Sequence, residues 1–578
     1  METSCIDAAW CIASQRTPAV RELADGLRIP DYVARALINR GAGDLDQARQ
    51  FLAATSANLE DPFAFRDMQQ AVDRVLLALQ RHELTLIQGD YDVDGSASAA
   101  LLVNLFRLLG GQVEVSIPSR AQDGYGLNER IVRRAAQRGV KLMITCDNGT
   151  TANAEIALAR DLGIETIITD HHTVGETLPP AVAVLNPHVK SEQLKFRDLC
   201  GAGVAFKLAW AVLTRLSSRE KLDPPFRDFL AGAQSLVALA SVADVVPLLG
   251  DNRILTRQGL RSMPDSPNPG IRALMETSGL DKIPSGTDVG FKLAPRLNAG
   301  GRLGRETLAV ELLTAQSYGQ AMELAAETDS LNRQRQTLDR ELTRMAEDMV
   351  TADAGYESER ILVVGHDDFH PGVVGIVAAR LSRRFNKPAV LVATGAAMGR
   401  GSGRSIPGFH LYNALQECGT LMHRFGGHAQ AAGLEITREN LGMLRRAVNE
   451  IADKHVVQAG YETPTLKIDA EVPLADLGVE GVDILQGLEP FGEGNPEPAF
   501  MTTDVEVAAP PKVVGRGTGH LSILLKQQGP AMRGIGFGLG DRIGQFKRGD
   551  KVRVVYTPKI STFRGPAEVE LELKDIRA

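Results

Sequence analysis

Residues 84–95 constrain this chain more than any other stretch. An apolar, strand-like run ends on three carboxylates at alternate positions, Asp90, Asp92 and Asp94, and a helix-forming run over 97–109 follows. In an open α/β sheet, ligands bind in the crevice beyond the carboxyl ends of the strands. Three carboxylates crowded there repel one another unless cations neutralise them, and oxygen donors suit hard ions such as Mg²⁺ or Mn²⁺. The stretch therefore predicts a metal site, with a solvated acidic turn as the plain alternative. A calcium loop of the EF-hand kind needs a preceding helix and a Glu at its twelfth position, which counted from Asp90 is Leu101.

The same pattern recurs downstream. Strand-like runs at 113–117, 141–146 and 165–169 alternate with helical runs at 129–138 and 154–162, which predicts a mostly parallel sheet. Two of these strands also end on polar residues, Asp147 after one and Asp170-His171-His172 after another. Any one of these would ordinarily be a capping Asp or a surface His. Three strands delivering such groups to one sheet edge predict a shared site.

At 578 residues the chain exceeds one core, and about 150 residues per domain predicts three or four. Hydrophobic residues at 44% and charged residues at 23% are ordinary globular values, which excludes extensive disorder. Five cysteines without a C-x-x-C pair argue against a disulfide framework or structural zinc and fit a reducing compartment. The start, Met1-Glu2-Thr3-Ser4, lacks the features of a signal peptide, and no apolar run reaches the roughly 20 residues of a membrane span. A cytoplasmic protein without a membrane segment is expected. The net charge of −7 does not advertise a nucleic-acid binder, although an average over domains can hide a basic face.

Residues 1–65 read as short helices without identifiable chemistry. After the apolar run 231–243, Asp244 is either a helix-terminal residue near solvent or a further metal ligand, and the local pattern leaves both open. Around 294–302, Arg296, Asn298 and Arg302 flank a glycine pair that either grips a phosphate or makes a tight turn. From 319 to 354 the apolar spacing predicts one long amphipathic helix joining domains. A second α/β unit begins near 361 and carries two glycine-rich stretches, 399–405 with Ser402 and Arg404, and 425–433 with His428. Glycines admit backbone amides close to an anion, and Arg supplies a bidentate fork, so the pair predicts a phosphate or nucleic-acid site. The last segment has five short strand-like runs, as in a barrel of the OB type. From 505 to 564 it holds eleven Lys or Arg against three acids, a net of +8, interleaved with Phe537, Phe546, Tyr556 and Phe563. A positive groove with stacking side chains suits single-stranded nucleic acid. The expected divisions are 1–65, 66–318, 319–355, 356–460 and 461–578.

The ordered motifs Asp92-x-Asp94, Asp147, Asp170-His171-His172 and Asp244, followed by Gly426-Gly427-His428, resemble the DHH phosphoesterase superfamily. The overall plan is similar to its branch of bacterial single-strand-specific 5′ to 3′ exonucleases, over nearly the whole chain from residue 84. The resemblance implies two Mn²⁺ or Mg²⁺ ions. Asp92 and Asp94 would bind separate metals, Asp147 would bridge them, His171 and Asp244 would complete the second site, and Asp90 would be a ligand or would orient one. It places His172 on the scissile phosphate, Arg296, Asn298 and Arg302 along the nucleic acid, and Ser402, Arg404 and Arg120 around a 5′ phosphate. Pyrophosphatase relatives carry a His four residues before the first Asp of the D-x-D pair, where this chain has Gln88. Single-stranded DNA is the implied substrate, a single-stranded-DNA-binding protein and a helicase are implied partners, and a monomer is expected. Two alternatives come from other classes: a phosphatase of short oligonucleotides, cyclic dinucleotides or pyrophosphate, and a nucleic-acid scaffold without catalysis. The first has little use for a basic barrel, and the second none for a repulsive acidic cluster.

Overall fold

Five parallel strands form the sheet that the Asp-rich stretch predicts, in the order Val113–Ser116, Thr85–Gln88, Leu142–Cys146, Glu165–Thr169, Ala183–Leu185. The chain therefore runs outward in both directions from Thr85–Gln88 and Leu142–Cys146, which lie side by side. Such a reversal of strand order opens a crevice at the carboxyl ends. Thr85–Gln88 and Leu142–Cys146 are buried along their whole length, as expected of a parallel sheet covered on both faces. The fifth strand, Ala183–Leu185, is too short to carry a periodic signal. The computed structural model describes residues 9–13, 18–119, 126–217, 221–459, 465–515, 519–562 and 565–578, so Arg120 and Phe563 lie outside the described residues.

The long connection is one helix, Tyr318–Ala352, of 35 residues, or about 50 Å at 1.5 Å per residue. Its buried acids fasten both neighbouring bodies. Asp329 receives Arg296 at 3.0 Å from the side of the five-stranded sheet, and Asp339 receives Arg380 at 2.7 Å from the second α/β unit.

That second unit corrects the reading of its glycine-rich stretches as anion-cradling loops. Gly399–Arg404 is an internal strand between Ala389–Ala393 and Ala431–Ile436, and Arg424–Gly427 pairs with Ala431–Ile436 as a hairpin. The glycines answer to packing here. A Cβ on Gly401 would lie 2.9 Å from Val392, and one on Gly427, at φ +143°, would lie 2.3 Å from the Ala431 carbonyl.

The C-terminal strands Phe500–Val507, His520–Lys526, Met532–Gly536, Glu568–Arg577 and Lys551–Ser561 neighbour one another in that order, and Phe500–Val507 pairs with both the second and the last, which closes the barrel. Two of the interleaved aromatics are core rather than surface. Phe546 and Tyr556 are buried, and the Tyr556 hydroxyl lies 2.9 Å from that of Thr502. Phe537 is exposed.

The N-terminal residues, expected as separate helices, join this barrel. Ala9–Ile12 pairs in parallel with Thr465–Ile468, and Tyr32 stacks edge-on against Phe500 at 5.5 Å. Between the barrel and the body of the five-stranded parallel sheet sits Arg253, fully buried, donating to the carbonyls of Phe51 (3.1 Å), Leu488 (2.6 Å) and Gly487 (3.3 Å) and stacked 3.9 Å over Phe51. Burial, with Arg257 and Arg40 nearby, draws its pKa down to about 9, so it stays charged at neutral pH. Removing a charged donor strands three acceptors. Arg253→Ala should lower stability by about 2–4 kcal/mol, read as a drop in thermal midpoint together with faster proteolysis of the N-terminal segment. An unchanged midpoint would mean that the clamp contributes nothing.

Candidate metal centre

The crevice at the strand reversal receives the predicted acids, and local structure explains how. Asp92 caps the helix Val93–Leu108, its side chain accepting the Gly95 amide at 2.9 Å. The helix begins four residues earlier than the sequence suggested, so Asp94 lies in its first turn. Gly95 is required by close approach, because a Cβ there would stand 2.5 Å from the Asp90 nitrogen. Asp94 is buried, and its two oxygens accept the Gly201 and Ala202 amides at 2.7 Å each, at the start of the helix Gly201–Leu216. A helix N-terminus favours an anion in this way. Sequence reading missed this pair of donors, since nothing in residues 201–202 signals chemistry.

Asp147 follows Leu142–Cys146 in the left-handed conformation, φ +62°. Asp tolerates this region better than most residues. His171 Nε2 lies 3.0 Å from Asp147 Oδ1, 3.6 Å from Asp94 Oδ2 and 3.5 Å from Asp244 Oδ2. Asp147, His171 and His172 form one set with ligand atoms close enough to hold an ion, and Asp94, His171 and Asp244 form another. Asp244 thus stands at the site and not merely at a helix end. Asp90 and Asp92 belong to neither set; Asp90 is fully buried, and Ser96 donates to its carbonyl at 3.3 Å.

His172 is oriented from behind. Its Nδ1 lies 2.8 Å from Asp170 Oδ1, and Asp170 also accepts the amides of His171 (2.8 Å), His172 (3.1 Å) and Thr150 (3.0 Å). Burial opposes the charge on Asp170, but the His172 and Thr150 bonds outweigh it and hold the carboxyl below the usual range. Burial likewise opposes charge on His172, yet Asp170 raises it to about 9. Asn186, which the sequence reading passed over, donates to the His172 carbonyl at 2.9 Å and to the Thr150 hydroxyl at 3.0 Å.

The remaining predicted residues are scattered. Gln88 is buried, with Nε2 donating to the Gly89 carbonyl at 3.0 Å and Oε1 without a hydrogen-bond partner among the described residues. Arg296 donates to Asp329 and to the Lys292 carbonyl at 2.6 Å, which ties its helix to the long connecting helix. Arg302 reaches across to the Gly372 carbonyl of the second unit at 3.1 Å, and Asn298 lines a cleft beside it. Arg404 donates to the Ser402 hydroxyl at 3.2 Å, and both sit against Gly375, where a Cβ would lie 2.9 Å from Ser402 Oγ. His428 is exposed in the hairpin turn, its Nδ1 accepting the Gln430 amide at 3.3 Å.

The chain matches the family model of the DHH N-terminal domain over residues 85–233, the DHHA1 domain over 358–454 and the RecJ OB domain over 468–575. It is 36% identical to the single-stranded-DNA-specific exonuclease RecJ of Salmonella typhimurium, over 88% of this chain and 90% of that one. The chain belongs to the RecJ family. RecJ of Bacillus subtilis is 35% identical over 98% of this chain and 70% of its own length. The crystal structure of RecJ in complex with Mn²⁺ from Thermus thermophilus superposes with a TM-score of 0.82 at 30% identity, covering 99% of this chain and 79% of that one.

Within this RecJ frame the acids strain against one another. Burial first, then the charges of Asp94, Asp92 and Asp244, pushes Asp147 well above the carboxylate range. Burial, then Asp94 and Asp92, raises Asp244 to about 8. An acid whose folded pKa is raised makes the folded state hold more protons than the unfolded chain, so stability falls as pH climbs from the ordinary carboxylate range to about 8. Metal-free Asp244→Asn should therefore gain thermal midpoint over its parent, and gain more at pH 8 than at pH 5. Equal gains at the two values would separate Asp244 from the acidic cluster.

Proposed function

We propose that this RecJ-family chain is a single-stranded-DNA-specific exonuclease that works from a 5′ end and releases 5′-mononucleotides by metal-dependent hydrolysis of phosphodiester bonds, in DNA repair and recombination. The observation that carries the reading is the convergence of Asp94, Asp147, His171, His172 and Asp244 on one crevice of a chain that also bears a basic barrel. Buried acids pushed above their ordinary range are a donor set that fits divalent cations, and the reading takes Mn²⁺ or Mg²⁺, two ions, held by Asp92, Asp94, Asp147, His171 and Asp244, with Asp90 behind them. Such ions supply a water of lowered pKa and neutralise the anionic oxygens that otherwise repel hydroxide.

The chain's own residues do the positioning. His171 is the residue the two candidate sets share, and Asp147, which would bridge the ions on the family resemblance, lies 3.0 Å from it. His172, held charged at neutral pH by Asp170, offers Nε2–H to a phosphate oxygen while Nδ1 stays on the carboxylate. Arg302 and Asn298 would follow the strand away from the centre, while Ser402, Arg404, His428 and Arg120 would receive its terminal phosphate. No described helix is long and apolar enough to cross a membrane. A cytoplasmic monomer recruited by a single-stranded-DNA-binding protein and a helicase completes the reading.

Asp147→Ala should abolish Mn²⁺-dependent release of mononucleotides while leaving single-strand binding within a few fold, because removal of metal-assisted activation costs many orders of magnitude in rate. A variant that keeps a tenth of the activity would end the bridging assignment. Arg404→Ala should weaken 5′-phosphorylated strands by roughly ten- to a hundredfold, from the loss of a charge-assisted bond, and strands without that phosphate much less. Affinities measured on both substrates decide it, and equal losses would remove Arg404 from the pocket.

A further inference from the structure

The ladder that aligns the strand ends stops short of the side chains it serves. It carries as far as the Asp147 amide on the Thr169 carbonyl, at 2.8 Å, and the Asp170 amide on the Leu185 carbonyl, at 3.1 Å. Beyond those bonds lie two turns, one running from Asp147 to Thr150 and the other from Asp170 to His172. The two turns carry groups that must meet accurately, since His171 Nε2 stands 3.0 Å from Asp147 Oδ1. Past the ladder, side chains fix one turn against the other.

Asn186 is the centre of that joint. It follows Ala183–Leu185, the strand at the edge of the sheet, and is fully buried. Its Nδ2 donates to Thr150 Oγ on the first turn at 3.0 Å and to the His172 carbonyl on the second at 2.9 Å, and its Oδ1 accepts the His188 amide at 2.8 Å. The carboxamide has one workable orientation. Turned over, Oδ1 would face the His172 carbonyl, acceptor against acceptor, and the amide hydrogens would face the His188 N–H. Thr150, also fully buried, continues the chain to Asp170 through its amide at 3.0 Å and through its hydroxyl, and Asp170 holds the His172 ring. The two turns are thus closed into a ring of hydrogen bonds through Asn186, Thr150 and Asp170.

The chemistry of the joint matters as much as its geometry. A Lys or Arg here could also join the turns, but its charge would compensate Asp94, Asp147 and Asp244 and compete with an incoming cation. A carboxamide and a hydroxyl fix position and add no charge.

We infer that Asn186 and Thr150 are positioning residues, which lock the Asp147 turn to the Asp170–His172 turn so that the ligand atoms stand at ion-holding separation before any ion arrives. The inference rests on the metal-dependent reading above for its ions. Groups that orient ligands from behind influence metal affinity strongly, and losing one typically costs about ten- to a hundredfold.

The test uses the full chain without DNA and follows the signal of free Mn²⁺ by electron paramagnetic resonance, at a temperature well below the thermal midpoint of each variant. Thr150→Val and Asn186→Ala should each raise the Mn²⁺ dissociation constant by roughly ten- to a hundredfold, and Thr150→Ser, which keeps the hydroxyl, should restore it. Because the two side chains act through one shared bond, the double variant should lose less than the product of the single losses. Unchanged affinity in either folded single variant would overturn the inference, and so would single losses that multiply, or a Thr150→Ser chain as weak as Thr150→Val. Failure of both single variants to fold would assign the pair to stability alone and overturn it as well. The two readings fail separately. The expected affinity pattern in a chain that releases no mononucleotides would sink the exonuclease reading alone, whereas release by the wild type with Mn²⁺ affinity indifferent to these variants would sink the positioning role alone.

Discussion

Everything in this molecule is arranged around carboxylates that would rather be apart. Asp94, Asp147 and Asp244 all approach one imidazole, that of His171, within 3.6 Å in a buried crevice. Unneutralised, that arrangement is unfavourable at neutral pH, and burial together with the neighbouring charges pushes Asp147 and Asp244 above the carboxylate range. It persists because each acid is held by backbone it cannot escape. The Gly201 and Ala202 amides pin Asp94, Asp147 is itself left-handed just past the end of a buried strand, and Asp244 follows the end of the helix Pro224–Ala243. Gly201 permits the approach, since a Cβ there would lie 2.8 Å from that of Asp147.

A centre of this kind needs walls that do not drift, and the inter-element contacts are built accordingly. Arg296 with Asp329 and Arg380 with Asp339 tie the long helix to the bodies on either side, and Asp329 and Asp339 are buried. Breaking a buried pair strands a charge, so such pairs resist partial opening more than they add to stability. Arg253 plays the same part on the other flank, with carbonyls in place of carboxylates. These contacts fix how far Arg302, Ser402 and Arg404 stand from the acidic crevice, and hence what can lie between them.

Much of the site was legible in the order of residues, and the misses have physical causes. Asp92, Asp94, Asp147 and His171 announced themselves because strand ends in a parallel sheet converge, so polar residues there share an environment. Asp244 was undecidable locally, since a helix-terminal Asp looks the same whether it faces solvent or an ion. For Arg296 an Arg beside glycines signals an anion, and the fold supplies one in Asp329, which no local pattern indicates. The glycines of 399–405 and 425–433 suggested loops and proved to be strand positions chosen for close packing. Asn186 and the Gly201–Ala202 amides carried no signal at all, being ordinary residues made functional by what folds against them.

The sequence by itself determined the alternating strands and helices of residues 84–169, the sheet edge at which acids and histidines collect, the long joining helix and the basic stretch 505–564. These follow from periodicity and from charge repulsion, which are properties of neighbours in the chain. Tertiary structure alone decided that residues 9–13 and 18–53 pack on the barrel at the other end of the chain, that Asp94 is held by a helix more than a hundred residues away, and that Phe291 and Val245 share one cleft. Those outcomes depend on long-range packing, where a side chain's role is set by the atoms that close around it, and no local pattern encodes which atoms those will be.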